Sequence, residues 1–177
     1  MDFKNLKFLI LEDSTSDFVL AKHHLSKEFK SPQFTHCEDL NSFKEVVTSQ
    51  KVDIIVSDFE LKGATGLEAL LFMVTQDIDI PFVFCTGALN NEEKAAETIL
   101  QGADGYILKD NIESLANKVK SVLAKKFKEK QEKDVLKTHI DEAISLSAIE
   151  KGDMMMDKLV DQFEKVQGIL KVLQKNL

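Results

Sequence analysis

Along the first 125 residues, short apolar runs alternate with longer stretches in which apolar residues recur at every third or fourth position. The first pattern predicts β-strands and the second predicts amphipathic helices. The runs predicted as strands are residues 7–11, 33–37, 52–58, 80–86 and 105–109. The stretches predicted as helices are residues 15–29, 40–49, 67–76, 91–101 and 112–127. Strands and helices therefore alternate throughout this part of the chain.

The predicted strands are nearly continuous apolar runs, without the apolar–polar alternation of a strand that faces water on one side. Strands of this kind are buried on both faces, which predicts a parallel sheet with helices on each side. Right-handed crossovers make this an α/β fold with a doubly wound five-stranded parallel sheet. In such sheets the functional site lies at the carboxyl ends of the strands.

Polar side chains follow four of the predicted strands at this edge. Glu12 and Asp13 follow the first strand, and Asp58 follows the third. Thr86 ends the fourth strand and Lys109 ends the fifth. Any one of them could simply terminate a strand, but five such residues in this order predict a functional site.

This set of side chains suits phosphoryl chemistry. Three clustered carboxylates repel one another unless a cation compensates their charge, and oxygen ligands are those that Mg²⁺ prefers. A carboxylate can attack phosphorus and form an acyl phosphate. A metal ion and a lysine can then neutralise the charge on the transferred oxygens.

The segments that carry these residues resemble the receiver domain of bacterial two-component response regulators, over residues 5 to about 125. The motifs are LILEDS, IIVSDFELKGATG, FVFCTGA and GADGYILKD. The resemblance implies the flavodoxin-like receiver fold and a phosphorylation-switched signalling module that regulates a partner protein. It also implies Mg²⁺ as the cofactor and a sensor histidine kinase or phosphotransfer protein as the phosphoryl donor. A receiver catalyses its own phosphorylation and dephosphorylation and is otherwise not an enzyme.

The resemblance also implies a role for individual residues at the site. Asp58 matches the phosphoacceptor and one of the metal ligands. Asp13 matches the direct Mg²⁺ ligand, and Glu12 matches a residue that binds the metal partly through water. The backbone carbonyl of Glu60 matches the remaining protein ligand.

Two further positions match the phosphoryl contacts and the switch. Thr86 and Lys109 match the residues that contact the phosphoryl group. Tyr106 matches an aromatic position that changes rotamer together with Thr86, although an ordinary packed aromatic fits the sequence equally well. The chain departs from the family at two positions. Lys62 stands where the family usually has proline, and Asp110 stands where the family often has proline.

Composition and charge limit the classes of partner that we expect for this protein. The net charge is −7, and residues 1–124 hold 12 lysines against 20 acidic residues, whereas residues 125–177 hold 11 against 10. The chain has no arginine, and neither part has the basic excess of a nucleic-acid interface. We therefore expect no nucleic-acid partner. The chain has no apolar run of about 18 residues and no signal sequence, so we expect a cytoplasmic protein without a membrane partner. Cys37 and Cys85 are predicted to be buried and reduced.

Residues 126–177 are predicted to form a helical extension that is separate from the receiver-like residues 1–125. Helical spacing continues over residues 135–150 and, after a stop at Gly152, over residues 156–177, where apolar residues follow a heptad pattern. These two amphipathic helices need a partner for their apolar faces. A helical hairpin or a coiled-coil homodimer would provide one.

Two other functions remain open from the sequence. The protein could be a constitutive scaffold or dimerisation protein that acts through its C-terminal helices. It could also be a phosphohydrolase of similar α/β build with a nucleophilic aspartate, although such enzymes usually have a second aspartate two residues later, where this chain has Glu60.

Overall fold

The computed structural model describes residues 3–87 and 102–149, together with residues 160–161, 164–165 and 167. The chain divides into two compact units, Met1–Lys125 and Lys126–Leu177. The predicted helix over residues 91–101, the predicted stop at Gly152 and most of the last predicted helix lie outside the described residues.

Five parallel strands form the sheet of the first unit. They are β1 (Lys7–Leu11), β2 (Gln33–Cys37), β3 (Ile54–Ser57), β6 (Phe82–Thr86) and β7 (Gly105–Leu108). Their spatial order is β2-β1-β3-β6-β7, and each neighbouring pair is parallel. The chain adds strands on one side of β1 and then on the other, which is the doubly wound arrangement predicted from the sequence.

The central strands β1, β3 and β6 contribute side chains to two apolar layers, which explains why they are nearly continuous apolar runs, whereas the edge strand β2 is only partly buried. Successive residues of a strand point to opposite faces of the sheet. Phe8 and Ile10 accordingly pack in one core cluster, whereas Leu9 and Leu11 pack in the other. Burial on both faces is what selects a parallel sheet with helices on each side.

Helices cover both faces, and the first three begin at residues suited to capping. They are α1 (Thr15–Glu28), α2 (Leu40–Ser49), α3 (Gly66–Thr75), a 3₁₀ helix (Lys109–Ser114) and α4 (Leu115–Ile149). Ser14, Asp39 and Thr65 accept hydrogen bonds from the first turns of α1, α2 and α3. These side chains satisfy backbone N–H groups that have no partner within the helix.

The structure adds one feature to the predicted elements and confirms another. The loop after Asp58 contains a short antiparallel hairpin, β4 (Glu60–Leu61) with β5 (Ala64–Thr65). The charged stretch from residue 125 is helical, as predicted, and α4 continues without interruption to Ile149. Cys37 and Cys85 are free and buried, as predicted. No helix in the described part of the chain is long and apolar enough to cross a membrane.

Candidate functional site

The candidate site lies where the order of strands reverses, between β1 and β3. These two strands are neighbours in parallel register, with Leu11 opposite Ser57, and the amide of Asp58 donates to the carbonyl of Leu11 at 2.9 Å. The residues that follow the two strands are therefore held side by side. This position is where α/β sheets of this type place their ligands.

Asp58 is a buried carboxylate with both oxygens engaged. Its side chain is 10% exposed. Oδ1 accepts hydrogen bonds from the amides of Phe59 at 2.6 Å and Glu60 at 3.4 Å, and Oδ2 accepts from Nζ of Lys109 at 2.8 Å. The backbone therefore fixes one oxygen, and the other oxygen faces a cation.

Lys109 connects three carboxylates that come from three different segments. Its Nζ lies 2.8 Å from Oε2 of Glu12, 2.6 Å from Oδ2 of Asp17 and 2.8 Å from Oδ2 of Asp58. Burial alone would lower the pKa of Lys109, but the hydrogen bonds from its ammonium to these carboxylates outweigh burial and raise the pKa above its usual value. The ammonium therefore stays charged at the centre of the site.

Glu12 carries a charge that its surroundings compensate incompletely. Burial raises the pKa of Glu12, although hydrogen bonds from Lys109 and from the amide of Ser14 oppose this shift. A buried carboxylate with a raised pKa gains from a nearby cation. The electrostatics at the end of β1 therefore favour binding of a further positive ion.

Asp13 is held at the mouth of the site by Lys62. The amide of Lys62 donates to Oδ2 of Asp13 at 3.0 Å, and Nζ of Lys62 lies 3.6 Å from the same oxygen. A proline at this position has no N–H to donate. The departure from the family at Lys62 therefore adds a contact to the carboxylate predicted to bind Mg²⁺ directly.

Three other predicted site residues lie on adjacent elements. Glu60 starts the β4–β5 hairpin opposite Thr65. Thr86 is fully buried at the end of β6, opposite Leu108 in β7. Tyr106 lies opposite Phe84, two residues before Thr86, and packs partly buried against the core.

The carboxylates and carbonyl near Asp58 are the hard oxygen donors that suit Mg²⁺. Within the described ranges, no group of three His, Cys, Asp or Glu side chains is arranged to hold a metal ion. The carboxylates of Glu12, Asp13 and Asp58 therefore do not form such a group in this structure, where the Lys109 ammonium lies 2.8 Å from both Glu12 and Asp58. The donor chemistry and the raised pKa of Glu12 fit a divalent cation at this edge.

Sequence reasoning missed Asp17, which supplies the shortest contact to Lys109. Asp17 lies in the first turn of α1, three residues after the cap Ser14. It resembles an acidic residue that merely favours the start of a helix. Its closeness to a predicted site, one turn into the helix that follows Asp13, was the available signal.

Comparisons with known proteins identify the family to which most of this chain is similar. A family model described as the response regulator receiver domain matches residues 8–120. The transcriptional regulatory protein YvrH of Bacillus subtilis (strain 168) is 30% identical over 132 residues, which are 72% of this chain and 53% of that protein. The chain thus spans about half the length of this curated relative.

Solved structures show the same fold at lower identity. The signal receiver domain of a putative LuxO repressor protein from Vibrio parahaemolyticus has a TM-score of 0.65 at 24% identity, with 72% of this chain and 96% of that chain covered. The response regulator protein TrrA from Thermotoga maritima, in complex with Mg²⁺-BeF, has a TM-score of 0.58 at 22% identity, with 66% and 98% covered. These likenesses establish the flavodoxin-like fold predicted from the sequence.

Proposed function

Because the chain belongs to the response regulator receiver domain family, we propose that it is a phosphorylation-switched signalling module that accepts a phosphoryl group on Asp58. The observation that carries this proposal is the buried Asp58 carboxylate, with Oδ2 2.8 Å from the Lys109 ammonium and Oδ1 bound by backbone amides. A nucleophile fixed in this way loses little freedom when it reacts. A receiver is a phosphoacceptor rather than an enzyme with an external substrate.

The phosphoryl donor in this proposal is a phosphohistidine of a sensor kinase or phosphotransfer protein. An oxygen of Asp58 attacks phosphorus, the phosphorus–nitrogen bond breaks, and the electron pair of that bond leaves with the imidazole. The product is an acyl phosphate. The Lys109 ammonium balances the charge of the transferred oxygens.

We propose that Asp13, Asp58 and the carbonyl of Glu60 hold Mg²⁺ directly, and that Glu12 binds it partly through water. The ion supplies positive charge to the phosphoryl oxygens. The hydroxyl of Thr86 then donates to a phosphoryl oxygen, and Tyr106 follows its movement. The adjacent positions of β6 and β7, with Phe84 opposite Tyr106 and Thr86 opposite Leu108, support this coupling.

For residues 126–177 we propose association with a second copy of the chain. The support is the heptad pattern of apolar residues over 156–177 in the sequence. Sedimentation of the full chain with and without Mg²⁺ and beryllofluoride tests this, and a mass that depends on beryllofluoride links association to the switch. A dimer whose mass does not change with beryllofluoride would instead favour a constitutive scaffold.

The expectation that the chain binds no nucleic acid stays a prediction.

Intact-mass spectrometry after treatment with acetyl phosphate and Mg²⁺ tests the proposed function. We expect the wild-type chain to gain the mass of one phosphoryl group and Asp58→Asn to gain none. Asp53→Asn is the matched control, because Asp53 precedes the same strand at its opposite end and its carboxylate accepts from the amide of Lys7. An equal gain of mass by Asp58→Asn would refute the assignment.

A further inference from the structure

We propose that Asp17 is a positioning residue that holds Lys109 in the unphosphorylated protein and yields it to the phosphoryl group. The inference rests on the proposed function and assigns a role to a residue outside the predicted site. Asp17 comes from α1, whereas the other two carboxylates bound to Lys109 follow strands β1 and β3. It therefore links the first helix to the chemistry at the sheet edge.

The geometry saturates the ammonium of Lys109. An ammonium has three N–H donors, and three carboxylate oxygens lie within 2.8 Å of Nζ, those of Glu12, Asp17 and Asp58. A phosphoryl oxygen cannot accept a hydrogen bond from Lys109 unless one of these contacts is given up. Phosphorylation of this chain therefore includes a partner exchange at Lys109.

Exposure decides which contact is exchanged. The side chain of Asp17 is 38% exposed, against 6% for Glu12 and 10% for Asp58. A carboxylate that reaches water can replace the lost hydrogen bond with solvent, whereas a buried carboxylate left unpaired costs much more. Asp58 becomes an acyl phosphate and is then no longer a carboxylate, so the comparison that matters is between Asp17 and Glu12. Of these two, the more exposed Asp17 is the partner that Lys109 leaves.

The position of Asp17 also fixes the sign of its effect. Asp17 lies at a defined place in the first turn of α1, where its amide donates to Oγ of Ser14, so its charge stays close to the site after the exchange. A phosphoryl group adds further negative charge at Asp58. Asp17 therefore opposes the phosphorylated state in two ways, by competing for Lys109 and by repelling the phosphoryl group.

A purely structural role would behave differently. An acidic side chain in the first turn favours the helix through the macrodipole. If this were its whole role, removing the charge would lower stability and would not strengthen binding of a phosphoryl analogue. The affinity for an analogue therefore separates the two roles.

Beryllofluoride titrated into the full chain at saturating Mg²⁺, and followed by calorimetry, tests the inference. We expect Asp17→Asn and Asp17→Ala to bind beryllofluoride about two- to fivefold more tightly than wild type, in line with the strength of partly exposed ion pairs. Asp17→Glu, which keeps the charge, should return the affinity towards the wild-type value. Unchanged or weaker binding by both Asp17→Asn and Asp17→Ala would overturn the inference.

Glu28→Gln provides the matched control. Glu28 is on the same helix and pairs with Lys120 at 2.6 Å, but it lies 11 residues further along, about 16 Å away. Its replacement should leave the affinity unchanged, and a gain equal to that of Asp17→Asn would mean that net charge alone is responsible. If wild type itself fails to bind beryllofluoride, the proposed function fails first, and this inference fails with it.

Discussion

Replacing Gly66 by alanine tests how closely the start of α3 packs against the acceptor aspartate. A Cβ at Gly66 would lie 2.1 Å from the carbonyl oxygen of Asp58, 2.6 Å from Oγ of Ser57 and 2.9 Å from Cε1 of Phe84. All three distances are far below an ordinary van der Waals separation. The nearest of these atoms is backbone, so rotation of a side chain cannot relieve the contact.

The expected cost of Gly66→Ala follows from this geometry. Overpacking a tight site costs typically about 1–3 kcal/mol and occasionally more, and a backbone contact places this substitution at about 3 kcal/mol. With a urea dependence of about 2 kcal/mol per molar for a domain of this size, the unfolding midpoint should fall by about 1.5 M. Because the carbonyl of Asp58 must move, binding of Mg²⁺ and beryllofluoride should also weaken.

Urea unfolding followed by circular dichroism measures the effect, and Gly87→Ala is the control. A Cβ at Gly87 would meet no atom of the described residues within 4 Å, so its replacement should change the free energy of unfolding by less than about 0.5 kcal/mol. If Gly66→Ala were as stable as Gly87→Ala, the close approach of α3 to Asp58 would be wrong.

Three further predictions concern charges and a thiol around the site. Lys109→Met leaves buried carboxylates without their cation and should lower the free energy of unfolding by about 2 kcal/mol. This is less than the cost of breaking a fully buried pair, because water reaches the site. Urea unfolding should show this loss of stability and its partial recovery by Mg²⁺, and unchanged stability would contradict the prediction. Lys62→Ala removes a cation 3.6 Å from Asp13 and should tighten Mg²⁺ binding about twofold by calorimetry, as for an exposed ion pair, whereas weaker binding would oppose the account. Burial raises the pKa of Cys85 to about 12, so iodoacetamide at pH 9 should modify Cys85 in urea but not in the native protein, and rapid native labelling would show that this pKa is wrong.

The sequence predicted the sheet well because its physical signals are local. Each strand is an apolar run whose alternate residues serve two cores, as Phe8 and Leu9 do. The carboxyl-end rule then brought Glu12, Asp58 and Lys109 to one edge, where the structure connects them through the Lys109 ammonium.

The features that sequence analysis missed depend on contacts between distant segments. Lys109 and Asp17 are 92 residues apart in the sequence, and a periodic pattern of apolar residues does not predict a contact between such distant positions. The backbone contact from Lys62 to Asp13 arises from the path of the loop after Asp58, which also forms the unpredicted hairpin. The crowding at Gly66 likewise depends on how α3 returns to β3.

The most direct test of the central claim is to locate the phosphoryl group after reaction with acetyl phosphate and Mg²⁺. Borohydride reduces an acyl phosphate of aspartate to homoserine, which peptide mass spectrometry can locate in the sequence. The account predicts homoserine at residue 58 and at no other aspartate. Modification at Asp13 or Asp53 in place of Asp58, or no modification at all, would contradict it.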